Sequence, residues 1–132
     1  MKTLVVEDDF TSRLLLQSFV EPYGEVHIAV DGEEALEAYR LARDGGNPFD
    51  LICLDIMMPG LDGQQVLRII RDEEGDVPDE KRVNVVMITA LDDPGNVTEA
   101  FASMCQAYLV KPLDRMELLH QLHELNLIPA PV

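Results

Sequence analysis

Five short apolar runs alternate along this chain with segments of helical period, and that alternation leaves few folds open. The runs are Thr3-Leu4-Val5-Val6, Glu25-Val26-His27-Ile28-Ala29-Val30, Phe49 to Asp55, Val83 to Thr89, and Ala107 to Val110. They are rich in Val, Ile and Leu and too short for helices, so they read as strands. Between them lie helical patterns. Residues 10–21 carry Phe10, Leu14, Leu15, Phe19 and Val20 and stop at Pro22 and Gly24. Asp31 and Glu34 resemble a capping box ahead of Ala35, Ala38, Tyr39 and Ala42. Turn residues from Met58 to Gly63 precede a helix with Val66, Leu67 and Ile70. Asp92-Asp93-Pro94 opens a fourth pattern with Val97, Ala100, Phe101 and Met104, and Asp114 caps a last one with Leu118, Leu119, Leu122 and Leu125. The charged stretch 72–82, with Gly75 and Pro78, reads as a solvated loop.

Strands apolar on both faces and alternating with helices imply a parallel sheet covered on both sides. The expected fold class is α/β, a doubly wound (βα)5 arrangement, for which the flavodoxin-like strand order 2-1-3-4-5 is one common form. Residues 1–127 form one domain, and 128–132 form a frayed tail. In such sheets ligands bind beyond the carboxyl ends of the strands, at the point where strand order reverses.

The formal net charge of −15 argues against nucleic acid and anionic membrane as partners, since affinity for phosphate backbones comes from Lys and Arg. No apolar run is long enough to span a bilayer, and the first residues lack the pattern of a secretion signal. A cytoplasmic location is expected. Cys53 and Cys105 sit in apolar surroundings and read as reduced, buried thiols. His27, His120 and His123 share no ligand spacing with other strand-end residues.

The strand ends carry the chemistry. The first ends in Glu7-Asp8-Asp9, the third in Asp55, the fourth in Thr89-Ala90 and the fifth in Lys111-Pro112. The expected strand order brings Glu7, Asp8 and Asp55 together. Carboxylates so placed repel one another unless their pKa values rise or a cation joins them. Oxygen ligands suit Mg2+, which is commonly shared with a phosphate. Lys111 offers a point charge and Thr89 a hydroxyl to phosphoryl oxygens, and a carboxylate is an accepted nucleophile at phosphorus. Taken singly, an acidic pair after a strand is as often a helix cap, and Lys111 a loop charge. The weight lies in four pieces at the ends of strands one, three, four and five.

Val5-Val6-Glu7-Asp8-Asp9, Leu54-Asp55-Ile56-Met57-Met58-Pro59-Gly60-Leu61-Asp62-Gly63, Met87-Ile88-Thr89-Ala90 and Tyr108-Leu109-Val110-Lys111-Pro112 resemble the signature of response-regulator receiver domains. The resemblance covers residues 2 to about 125, and its nearest type is a stand-alone, chemotaxis-like single-domain regulator of two-component signalling. It implies that Asp55 takes a phosphoryl group from the phosphohistidine of a histidine kinase or phosphotransfer protein. Asp8, Asp55 and the Met57 main-chain carbonyl would hold Mg2+ directly, and Glu7 would hold it through water. Lys111 would pair with the phosphoryl group, ahead of a cis bond to Pro112. Thr89 would move to that group and Tyr108 would turn inward. The switched surface, made by the fourth helix, fifth strand and fifth helix, would meet a downstream protein target. Such a protein is a phosphoacceptor that assists its own phosphorylation and dephosphorylation, not an enzyme with a separate substrate.

Some residues depart from the family pattern. Met104-Cys105 stands where Gly-Ala is frequent, and the 72–82 loop is a few residues long. Met57 and Leu91 are apolar at positions flanking the path of the hydrolytic water, which implies a long-lived phosphoryl group. A phosphatase of the haloacid-dehalogenase type would carry a second Asp where Met57 stands. A flavodoxin-like cofactor binder would place glycines and hydroxyls, not acids, in the first loop. A non-phosphorylated pseudo-receiver that only docks is the remaining alternative.

Overall fold

The computed structural model describes residues 1–90 and 104–131. The expected helix over 92–104 and the side chain of Leu91 lie outside these residues, Met104 excepted. Five strands form one sheet in the order β2-β1-β3-β4-β5, with every neighbouring pair parallel. They are β1 (Lys2–Val6), β2 (Glu25–Ala29), β3 (Leu51–Asp55), β4 (Asn84–Thr89) and β5 (Ala107–Val110). The described helices are α1 (Phe10–Val20), α2 (Gly32–Asp44), α3 (Gly63–Glu74) and α4 (Arg115–Glu124). None is long and apolar enough to cross a membrane.

The central strands explain the double cover. Successive side chains of a strand point to opposite faces. Leu4, Val6, Ile52, Leu54, Val85 and Met87 pack with α2 and α3 in one core. Val5, Leu51, Cys53, Val86 and Ile88 pack with α1 and α4 in the other. Every residue of β3 is buried, which is why its sequence shows no polar alternation.

Local chemistry sets the helix starts. Asp9, Asp31, Asp62 and Asp114 are the N-caps, each accepting a hydrogen bond from a backbone N–H of the first turn. At Asp62 the cap is reciprocal, because the Gln65 side chain accepts from the Asp62 N–H at 3.0 Å. Gly63 follows because nothing larger fits: an added Cβ would lie 2.3 Å from the Asp55 carbonyl oxygen.

Three expectations are corrected. The apolar pattern of α1 does not mark its buried face, since Phe10, Leu14 and Leu15 are exposed while Leu16 and Val20 are buried. The stretch 72–82 is not all solvated loop. Residues 72–74 complete α3, and Glu74 is buried in an ion pair with Arg71, Nη1 to Oε1 2.7 Å. The tail is not frayed throughout, because Ile128 is buried in the α1–α4 core. Cys53 is buried as expected, and burial pushes its thiol up to about 12. Cys105 is half-buried.

Replacing Gly63 by Ala is expected to lower unfolding free energy by about 1–3 kcal/mol, since the contact with Asp55 must be relieved by moving backbone. Urea unfolding of the variant beside the parent protein measures it.

Candidate functional site

β1 and β3 are neighbours with Val6 opposite Leu54, so the residues that follow them emerge side by side. β3 and β4 pair with Asp55 opposite Ile88, and β4 and β5 pair with Thr89 opposite Val110. The order reverses across β1 and β3, and the acids gather at this reversal. A ligand oxygen from each of Glu7, Asp8 and Asp55 lies within 4.8 Å of the others. Glu7 is fully buried and Asp55 is 3% exposed, whereas Asp8 faces solvent.

The third acid of the run has a different task. Asp9 Oδ2 accepts the Ser12 N–H at 2.9 Å, and this bond holds its carboxyl below the usual range. The helix-cap reading therefore applies to Asp9 and the site reading to Glu7 and Asp8.

Lys111 reaches across from beyond β5. Its Nζ lies 2.6 Å from Glu7 Oε1 and 3.8 Å from Asp55 Oδ2. Partial burial works against its charge, but the Glu7 and Asp55 carboxylates outweigh that and raise its pKa. The Lys111–Pro112 bond is cis. Asp55 Oδ1 accepts the Met57 N–H at 3.2 Å. Burial, and next the Glu7 carboxyl beside it, push Asp55 up to about 8, with Lys111 pulling the other way. A single ammonium is thus too little for the two buried carboxyls.

Glu7 Oε2 shows the same shortfall. It is buried and has no hydrogen-bond partner among the described residues. A buried, unpaired carboxylate oxygen is costly. A hard cation taking oxygen ligands removes that cost, so the donor set fits such a metal ion.

Thr89 ends β4 and Tyr108 lies within β5. The Thr89 hydroxyl is buried and donates to the Ala90 carbonyl at 3.4 Å, while Tyr108 is 53% exposed on the edge strand β5. Arg13 was not singled out in sequence. Its Nη1 donates to the Glu7 carbonyl at 3.3 Å, and a lone Arg in an amphipathic helix carries no signal of that contact. His120 and His123 are exposed, as their positions on the last helix suggest.

The chain matches the family model of the response regulator receiver domain over residues 3–123. It is 38% identical over 126 residues to the response regulator PleD of Caulobacter vibrioides, which covers 95% of this chain and 26% of that protein. It is 34% identical over 116 residues to the transcriptional regulatory protein SrrA of Staphylococcus aureus, covering 87% and 43%. The chain therefore spans less than half the length of these curated relatives. The Vibrio cholerae chemotaxis protein CheY4 has a similar structure, with a TM-score of 0.76 at 30% identity over 94% of this chain and 97% of that one.

The titration of Asp55 has a signed consequence. Its folded value of about 8 lies above its ordinary 3.8, so folding favours the protonated form. Its contribution to stability is complete below the ordinary value and is lost as pH rises towards about 8. Without divalent ions, urea unfolding between pH 4 and 8 is expected to show this loss. Asp55→Asn is expected to flatten it.

Proposed function

The chain belongs to the response regulator receiver domain family, and from that premise we propose that Asp55 is its phosphoacceptor. The donor is the phosphohistidine of a histidine kinase or phosphotransfer protein. The observation that carries this reading is the gathering of buried Asp55 with Glu7, Asp8 and Lys111 at the strand ends.

The Met57 N–H holds Asp55 Oδ1 and leaves Oδ2 on the Lys111 side. A cation held among Glu7, Asp8 and Asp55 would favour the ionised Asp55 over the protonated form. The ionised Oδ2 attacks phosphorus and forms the acyl phosphate bond as the bond to the histidine nitrogen breaks, and the histidine departs as neutral imidazole. Lys111 moves its charge from Glu7 towards the new phosphoryl oxygens. Asp8, Asp55 and the Met57 carbonyl would hold Mg2+, with Glu7 behind a water. Mg2+ bound there supplies positive charge against the carboxylates and the incoming phosphoryl oxygens. The Thr89 hydroxyl turns its hydrogen bond from the Ala90 carbonyl to a phosphoryl oxygen, and Tyr108 turns inward from its exposed position. The altered face includes β5 and α4, and it binds a downstream protein. The chain assists its own phosphorylation and dephosphorylation without acting on a separate substrate. Cytoplasm is the compartment that fits a histidine-kinase donor and thiols in no disulfide.

Intact mass after incubation with acetyl phosphate, with and without Mg2+, tests the site. One adduct is expected that requires Mg2+ and is lost in Asp55→Asn. An adduct that persists in the variant would refute the assignment. No adduct from acetyl phosphate or from a phosphohistidine donor would favour the docking-only reading. Lys111→Ala is expected to slow adduct formation on the order of a hundredfold. Met57 is 53% exposed and lies two residues after the acceptor, where an apolar side chain would hinder an attacking water. Met57→Asn is therefore expected to shorten the phosphoryl half-life several-fold, and an unchanged decay rate would remove Met57 from the account.

A further inference from the structure

The segment that leads into β5 is held by a side chain of α3 as well as by the sheet. Arg71, in the last turn of α3, has a side chain 8% exposed. Its Nε donates to the Met104 carbonyl at 2.8 Å, and its Nη2 donates to Gln106 Oε1 at 3.0 Å. Its Nη1 donates to the Val83 carbonyl at 2.9 Å and pairs with Glu74 Oε1. Gln106 Oε1 also accepts the Val85 N–H at 2.7 Å, and Glu74 Oε2 accepts the Val83 N–H at 2.8 Å. One guanidinium therefore joins the end of α3, the start of β4 and the approach to β5. Met104 and Cys105 add partly buried side chains packed against the α2–α3 core.

Gln106 immediately precedes β5, and its own N–H donates to the Val85 carbonyl at 2.9 Å, so the clamp fixes the start of the short strand that carries Tyr108 two residues on. The clamped arrangement is the one in which Tyr108 points outward. A guanidinium is a rigid planar fork, and several bonds made at once by such a fork lose alignment together when one partner shifts.

Resting on the assignment of Asp55 as phosphoacceptor, we propose that the Arg71 clamp stabilises the resting arrangement of the approach to β5 and so opposes the switch of Tyr108. Arg71 and Gln106 are positioning residues that act through β5 and do not touch the phosphoryl group. A contact made more fully in one of two states shifts the equilibrium towards that state by its differential free energy. Loss of the clamp therefore has two opposite readouts: the fold weakens, but the phosphorylated form becomes easier to reach.

The test uses beryllofluoride, a phosphoryl mimic, titrated with Mg2+ into the parent protein, Arg71→Met, Gln106→Ala and Asp55→Asn, with the Tyr108 ring followed by NMR and thermal unfolding measured in parallel. The expected result is a lower melting temperature in both clamp variants with beryllofluoride affinity raised about fivefold or more, the scale of a modest coupling. Inward Tyr108 signals are also expected at lower beryllofluoride concentration. Gln106→Ala removes the smaller part of the network and keeps the test alive if Arg71→Met does not fold. Lower melting temperatures with unchanged or weaker affinity would overturn the clamp and leave a purely structural role. Absence of Asp55-dependent binding by the parent protein would overturn the phosphoacceptor reading itself, and the clamp with it.

Discussion

A carboxyl group buried at the end of the central strand is the constraint around which this molecule is arranged. Asp55 sits beside Glu7, which is buried more completely still, and the ammonium of Lys111 lies close to both. Two buried carboxyls and one ammonium do not balance. Burial first, and then the neighbouring Glu7 carboxyl, raise the pKa of Asp55, and Oε2 of Glu7 has no partner among the described residues. A protein gains nothing in stability from such a deficit. It gains buried oxygen ligands, already gathered, that fit a hard cation.

The sheet makes that deficit sustainable. The two cores seal both faces of β1, β3 and β4 and hold the strand ends in register. The close approach of α3 at Gly63 brings its N-terminus against the Asp55 carbonyl. Lys111 follows β5, whose own attachment runs partly through Arg71 and Gln106. The site and the clamp therefore flank the same strand: Lys111 lies just beyond its end, and Gln106 just before its start.

Much of this was legible in the sequence because it follows from short periods and strand ends. Both-face apolarity marked the buried strands, and Asp31 and Asp114 each precede a helix they cap. Glu7, Asp8, Asp55 and Lys111 were visible as polar residues at the ends of apolar runs. Less visible were features that depend on which side of a helix finds a partner. In α1 the apolar residues outnumber the buried ones, so Phe10, Leu14 and Leu15 mislead while Leu16 is passed over. Glu74 looked solvated among other charges, yet it is buried because Arg71 and the Val83 N–H satisfy it.

The sequence by itself determined the order of the elements, the parallel sheet and the residue types at the strand ends, because hydrophobic period and chain connectivity act locally. The tertiary structure decided which acids face one another. Asp9 turned to its helix while Glu7 turned inward to Lys111, 104 positions away. It likewise decided that Arg71 reads the carbonyl of Met104, 33 residues on. Burial and long-range hydrogen bonding have no period in sequence. They arise only when packed elements bring distant groups within about 3 Å and exclude water from between them.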